Sequence, residues 1–142
     1  MVLGLSHITL VVRNLDRMEE ILSKLFGARK IYDSGDEIFS LSGERFFLVG
    51  AGVESIWIAT MEGDPLPTQT HNHIAFRIAD ADYDDYVSRV GDLGLTCREG
   101  RSRVEGEGRS IYFYDDDNHL FELHTGALND RLTRYAQTPT TV

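Results

Sequence analysis

The 142-residue sequence predicts an α+β fold made of two tandem βαβββ modules. Three observations carry that prediction. First, the chain resembles itself at one constant shift of 66 positions, which lays His7-Ile-Thr-Leu-Val-Val-Arg-Asn-Leu-Asp16 on His73-Ile-Ala-Phe-Arg-Ile-Ala-Asp-Ala-Asp82. Second, in each half an opening β-branched and apolar run gives way to a stripe with helical spacing, so a strand leads into a helix. Third, the segments after each helix are short apolar or aromatic runs broken by turn residues, the pattern of about three antiparallel strands.

Module one spans about residues 3–61. Its helix is marked by Met18, Ile21, Leu22, Leu25 and Phe26, an i, i+3, i+4, i+7, i+8 stripe closed by Gly27, and Asp16 followed by Glu19 reads as a capping box. Strands are expected at Ile31-Tyr32, from Ile38 to Leu41, from Arg45 to Val49 and from Ser55 to Met61. The stretch from Glu62 to about residue 71 holds two of the three prolines and no periodicity, so it is the linker. Module two, about 72–126, repeats the plan: Tyr83, Tyr86, Val87, Val90 and Leu93 form its helical stripe, with Asp82 at the start and Gly94 at the end. A final helix, about 127–136, carries Leu128, Leu132 and Tyr135 on one face. Half-modules of this size bury little apolar surface alone, so the pair should share a sheet or cup, within one chain or between chains, and a symmetric homodimer follows.

Composition narrows the function. A formal charge of −9 opposes a phosphate backbone and argues against nucleic acid as a partner. No run approaches the ~20 apolar residues of a membrane span, and the amino terminus lacks a secretory pattern. With a single cysteine, Cys97, there is no disulfide framework; a cytoplasmic location is expected. Within this acidic chain Arg98, Arg101, Arg103 and Arg109 crowd together, a cluster suited to a small phosphate-like or carboxylate ligand or to a solvated loop. The Glu105-Gly-Glu-Gly108 stretch lacks the Lys-Ser/Thr ending of a phosphate-binding loop.

His7 and His73 hold the same place in the two modules, so pairing the modules could bring both imidazoles to one centre. Glu122 lies on the last strand of module two, between Phe121 and Leu123, which face the other way. A carboxylate in an apolar strand is costly to bury unpaired; a bound cation accounts for it, and an arginine partner is the alternative. By the shift of 66, module one has Ile56 in the slot of Glu122, which leaves three ligands and open coordination positions. Such a set suits Mn(II), Fe(II), Co, Ni or Zn. His71 and His124 each lie two residues from a proposed ligand on the same strand face and could replace it, whereas His119 reads as a turn residue.

These residues, with Gly4-Leu-Ser-His7-Ile-Thr9, Asn72-His73-Ile-Ala-Phe76, the run from Arg103 to Tyr114 and the run from Asp117 to Gly126, resemble the vicinal oxygen chelate superfamily, and within it the fosfomycin-resistance enzymes, over about residues 3–136. The resemblance implies a homodimer whose modules combine across chains and an Mn(II) site on His7, His73 and Glu122. It also implies a phosphonate pocket falling on Thr9, Arg103, Ser110, Tyr112 and Arg131. The segment from Phe39 to Phe47 is similar to the branch that opens the epoxide with water, and puts Glu44 where that branch has its general base. By the internal shift Glu44 matches Ser110. The resemblance therefore implies metal-dependent hydrolysis of fosfomycin, a phosphonate epoxide, to a diol. A thiol transferase on the same scaffold and a non-catalytic binding protein of the same fold are the rival readings.

Overall fold

The structure is a computed structural model that describes residues 1–98 and 105–137, and within these residues lie two similar four-stranded mixed sheets, each backed by a helix. Contacts divide it into two units, residues 1–68 with 116–119, and residue 69 onward without that turn.

The first unit contains β1 (His7–Val12), α1 (Leu15–Phe26), β2 (Arg29–Asp33), β3 (Glu44–Val49) and β4 (Ile56–Glu62), in the sheet order β1-β4-β3-β2. β1 runs parallel to β4 and the other pairs are antiparallel. Leu10, Val12, Phe47 and Ile58 are buried together with Met18, Ile21, Leu22 and Leu25, the stripe of α1. Alternation then assigns His7, Thr9, Glu44, Phe46 and Trp57 to the opposite, open face. The second unit repeats this with β5 (His73–Arg77), α2 (Tyr83–Asp92), β6 (Cys97–Arg98), β7 (Ser110–Tyr114) and β8 (Leu120–His124), ordered β5-β8-β7-β6, followed by α3 (Leu128–Gln137). Its core includes Phe76, Val90, Leu93, Ile111, Phe113, Phe121 and Leu123.

This core fixes the direction of Glu122. A one-residue slip of β8 would drive the carboxylate inward and expose Phe121 and Leu123, both fully buried here. Each contributes about 1.5–3 kcal/mol by burial, so the register is strongly held.

Three expectations are corrected. The strand expected from Ile38 to Leu41 is absent: Asp33 Oδ1 accepts from the Gly35 amide at 2.9 Å, Gly35 takes φ +59°, and the chain turns away before an extended pair forms. Ile38, Phe39 and Leu41 are exposed instead. The cap of α1 is Asn14, in extended backbone, whose side chain accepts from the Arg17 amide at 3.0 Å; Asp16 lies in the first turn and pairs with Arg45. Finally, the shift of 66 does not reach the last strand. His7 stands opposite Trp57 and His73 opposite Leu120, so that β4 and β8 correspond at a shift of 63, and the counterpart of Glu122 is Ala59, not Ile56. The strand connection in module one is three residues longer by this register. Ala59 has no donor atom either, so the two-histidine, one-carboxylate count is unaffected.

Candidate metal and substrate site

β5 opens with His73, whose Nδ1 lies 2.7 Å from the carbonyl oxygen of His71. A carbonyl can only accept, so Nδ1 carries a proton and Nε2 is the ring nitrogen left to bind a cation. That Nε2 is 2.9 Å from Glu122 Oε2. At that distance the two groups need either a proton on Nε2, as in an imidazolium–carboxylate pair, or a cation between them. Glu122 is buried, with 5% of its surface exposed. Its other oxygen, Oε1, accepts from Ser110 Oγ at 2.6 Å, and Ser110 Oγ is 2.8 Å from His124 Nδ1. The Tyr112 phenol reaches the same carboxylate; burial foremost, then the negative charge of Glu122, holds it above the usual phenol range, so it remains a neutral O–H donor. Imidazole nitrogen plus carboxylate oxygen, each already oriented from behind by a second group, is a donor pair that fits a divalent cation.

Around this pair lies a cavity of about 680 Å³ lined by Gln69, Thr70, His71, His73, Arg98, Tyr112, Tyr114, Leu120, Glu122, Arg131 and Tyr135. It brings two guanidinium groups, Arg98 and Arg131, to the same space as the donor pair. Arg98 lies over the Tyr114 ring at 5.1 Å, and the Tyr114 hydroxyl donates to the Thr70 carbonyl at 2.6 Å, which ties down the segment leading into His73. Arg98 belongs to the arginine-rich run noted in the sequence. Tyr114 and Tyr135 were missed, although Tyr114 follows Tyr112 by two on β7 and Tyr135 follows Arg131 by four on α3, spacings that put each pair on one face.

The remaining sequence candidates distribute plainly. His7 stands exposed on the open face of the first unit, its ring 4.3 Å from that of Trp57 and its Nδ1 3.1 Å from Ser6 Oγ. Thr9 is two residues along the same face. Glu44 is half-buried at the head of β3, its backbone held at both atoms by Ser34 through 3.0 Å bonds. Register places Glu44 in the row of Met61 and Val11, on the face that also bears Thr9 and His7. Arg109 is committed elsewhere: its guanidinium binds Asp80 through Nε at 2.9 Å and lies over the Tyr83 ring. Arg101 and Arg103 lie outside the described residues. Among the described residues of a single chain, no three His, Cys, Asp or Glu side chains gather as a metal-binding group.

A mixed sheet pair with this donor set defines the class. The family model of the Glyoxalase/Bleomycin resistance protein/Dioxygenase superfamily matches residues 4–123, and the chain belongs to that superfamily. More narrowly, it is 59% identical over 137 residues to Fosfomycin resistance protein FosX of Mesorhizobium japonicum, covering 96% of each chain. It is also similar to the crystal structure of a FosX variant from Listeria monocytogenes complexed with Mn(II) and 1S,2S-dihydroxypropylphosphonic acid: the TM-score is 0.85 at 50% identity, covering 95% of this chain and 99% of that one. Metallothiol transferase FosB of Staphylococcus haemolyticus stands further off, 34% identical over 141 residues, with 96% of this chain and 94% of that protein covered.

Proposed function

We propose that the protein is an Mn(II)-dependent epoxide hydrolase that converts fosfomycin to its diol and so confers fosfomycin resistance. The observation that carries this reading is the His73 Nε2 and Glu122 Oε2 pair, face to face at 2.9 Å inside a cavity lined by Arg131 and Tyr112. The FosX relatives, one of them complexed with Mn(II) and a dihydroxypropylphosphonic acid, support it. Another divalent metal could serve the same donors.

The residues divide the work. His73, Glu122 and His7 would hold the metal, which when bound supplies Lewis acidity at the epoxide oxygen. Arg131 gives charge-assisted, forked hydrogen bonds to the phosphonate, with Tyr112 and Thr9 adding neutral ones and Arg103 a further cation. Ser110 belongs to this phosphonate set by the family resemblance, yet its hydroxyl proton is directed at Glu122 here. Glu44 takes a proton from an attacking water as the water oxygen bonds to an epoxide carbon and the carbon–oxygen bond of the ring breaks. The ring oxygen stays on the other carbon with the electron pair of the broken bond and takes up a proton from solvent, Glu44 returns its proton to solvent, and the diol is complete.

The same reading takes residues 1–142 as one vicinal oxygen chelate domain acting as a cytoplasmic homodimer, each site combining His7 of one copy with His73 and Glu122 of the other. α3 supports a second copy: it buries none of its residues, and Leu128, Leu132 and Tyr135 are 71, 54 and 52% exposed. The lone thiol, Cys97, fits a reducing compartment. The test is a ³¹P NMR time course of fosfomycin with Mn(II)-loaded protein, with and without glutathione. Diol formation in both supports hydrolysis; a product that forms only with thiol assigns the chain to thiol transfer, and unchanged drug to binding alone.

A further inference from the structure

We infer that His124 is a positioning residue that, through Ser110, fixes which oxygen of Glu122 is offered to the metal; the inference rests on Glu122 being a ligand as proposed above. The proton count along the chain gives its direction. Glu122 Oε1 and Ser110 Oγ are 2.6 Å apart, and a carboxylate has no proton of its own to give, so the serine O–H points at Glu122. A serine hydroxyl has one proton. The 2.8 Å contact between Ser110 Oγ and His124 Nδ1 must then be filled by a proton on Nδ1, and the order is His124 N–H to Ser110 O–H to Glu122 Oε1. His124 Nδ1 is 3.5 Å from Oε1 itself, beyond a good direct bond, so its influence passes through the hydroxyl.

Three features make this a built arrangement. Ser110 and His124 are register partners on β7 and β8, and Tyr112 stands opposite Glu122 in the next row but one, so the ladder holds the groups in place. Gly126 keeps the space behind the ring open: a Cβ there would sit 2.8 Å from His124 Nε2 and 2.5 Å from the Glu107 carbonyl oxygen. Finally, the two oxygens of Glu122 have different partners. Oε1 takes the Ser110 proton, whereas Oε2 faces Nε2 of His73 at 2.9 Å. The carboxylate is thereby oriented before any cation arrives, which is the way an outer group raises affinity without touching the metal.

This assignment differs from a phosphonate contact in what each variant does. Mn(II) affinity is measured by the loss of the free-ion EPR signal, with apparent KM for fosfomycin measured alongside. Ser110→Ala should raise the Kd for Mn(II) roughly 10- to 100-fold, the range for loss of an outer-shell partner. His124→Gln should do the same, because its amide cannot occupy the Nδ1 position. His124→Asn, which can place an N–H there, should stay within about threefold of the parent. The double variant Ser110→Ala/His124→Gln should bind no more weakly than Ser110→Ala alone, since both cut one chain. Unchanged Mn(II) affinity in Ser110→Ala with a raised KM would overturn the inference in favour of a phosphonate role. Equal losses in His124→Asn and His124→Gln would overturn it in favour of ring packing. Glu122→Ala separates the levels: if it retains Mn(II), the ligand assignment itself fails, whereas loss there with parent-like His124→Gln removes only the positioning role.

Discussion

Glu44 and Arg131 make the most separable claims at the level of single residues. Glu44→Gln keeps the shape of the side chain but not its basicity, so turnover should fall roughly 10²- to 10⁴-fold while Mn(II) and fosfomycin still bind. Parent-rate hydrolysis by that variant would take the base away from Glu44. Arg131→Ala should raise the apparent KM for fosfomycin far more than it changes Mn(II) affinity, and Arg131→Lys should restore only part, since a point-like ammonium cannot reproduce the guanidinium fork. Unaltered kinetics in Arg131→Ala would remove it from the phosphonate site. The residue chemistry was legible in sequence where strand parity spoke for it: Phe121 and Leu123 could only be core, which turned Glu122 the other way. Parity was silent on hydrogen-bond direction. That the Ser110 hydroxyl points at Glu122, and that His124 stands behind it, depends on distances across β7 and β8 that sequence order does not contain.

The secondary-structure elements show why some boundaries were readable and others were not. The stripe of α1 and its glycine stop at Gly27, which takes φ +62°, follow from local preferences and were visible. The run from Ile38 to Leu41 has strand composition, yet the turn at Asp33 and Gly35 sends it out of the sheet. The repeat was legible for β1, β3, β5 and β7 but slipped by three on the last strand, because a longer connection changes the register without changing the hydrophobic pattern. A glycine tests the element packing of the second unit. Adding a Cβ at Gly126 brings it 2.5 Å from the Glu107 carbonyl, so Gly126→Ala should lower stability by about 1–3 kcal/mol, the usual scale for overpacking. The midpoint of urea unfolding reads this directly, and a parent-like midpoint would mean that the segment at Glu107 yields without cost.

At the scale of the whole molecule, the two-module plan was legible because the repeat exposes it, and each module does form its own mixed sheet. What the repeat could not say is which copies of His7 and Glu122 act together. Co-expression of His7→Ala and Glu122→Ala chains answers that, since a mixed dimer built across chains regains one intact site. Activity in the isolated mixed dimer, with both single-variant homodimers inactive, supports sharing; inactivity at saturating Mn(II) would argue for sites within one chain. The central claim is that water, and not a thiol, opens the epoxide. Mn(II)-loaded protein is incubated with fosfomycin in ¹⁸O-water in the presence of glutathione, and the product is weighed by mass spectrometry. One heavy oxygen in a diol is the expected result; a glutathione adduct with no ¹⁸O and no diol would contradict it.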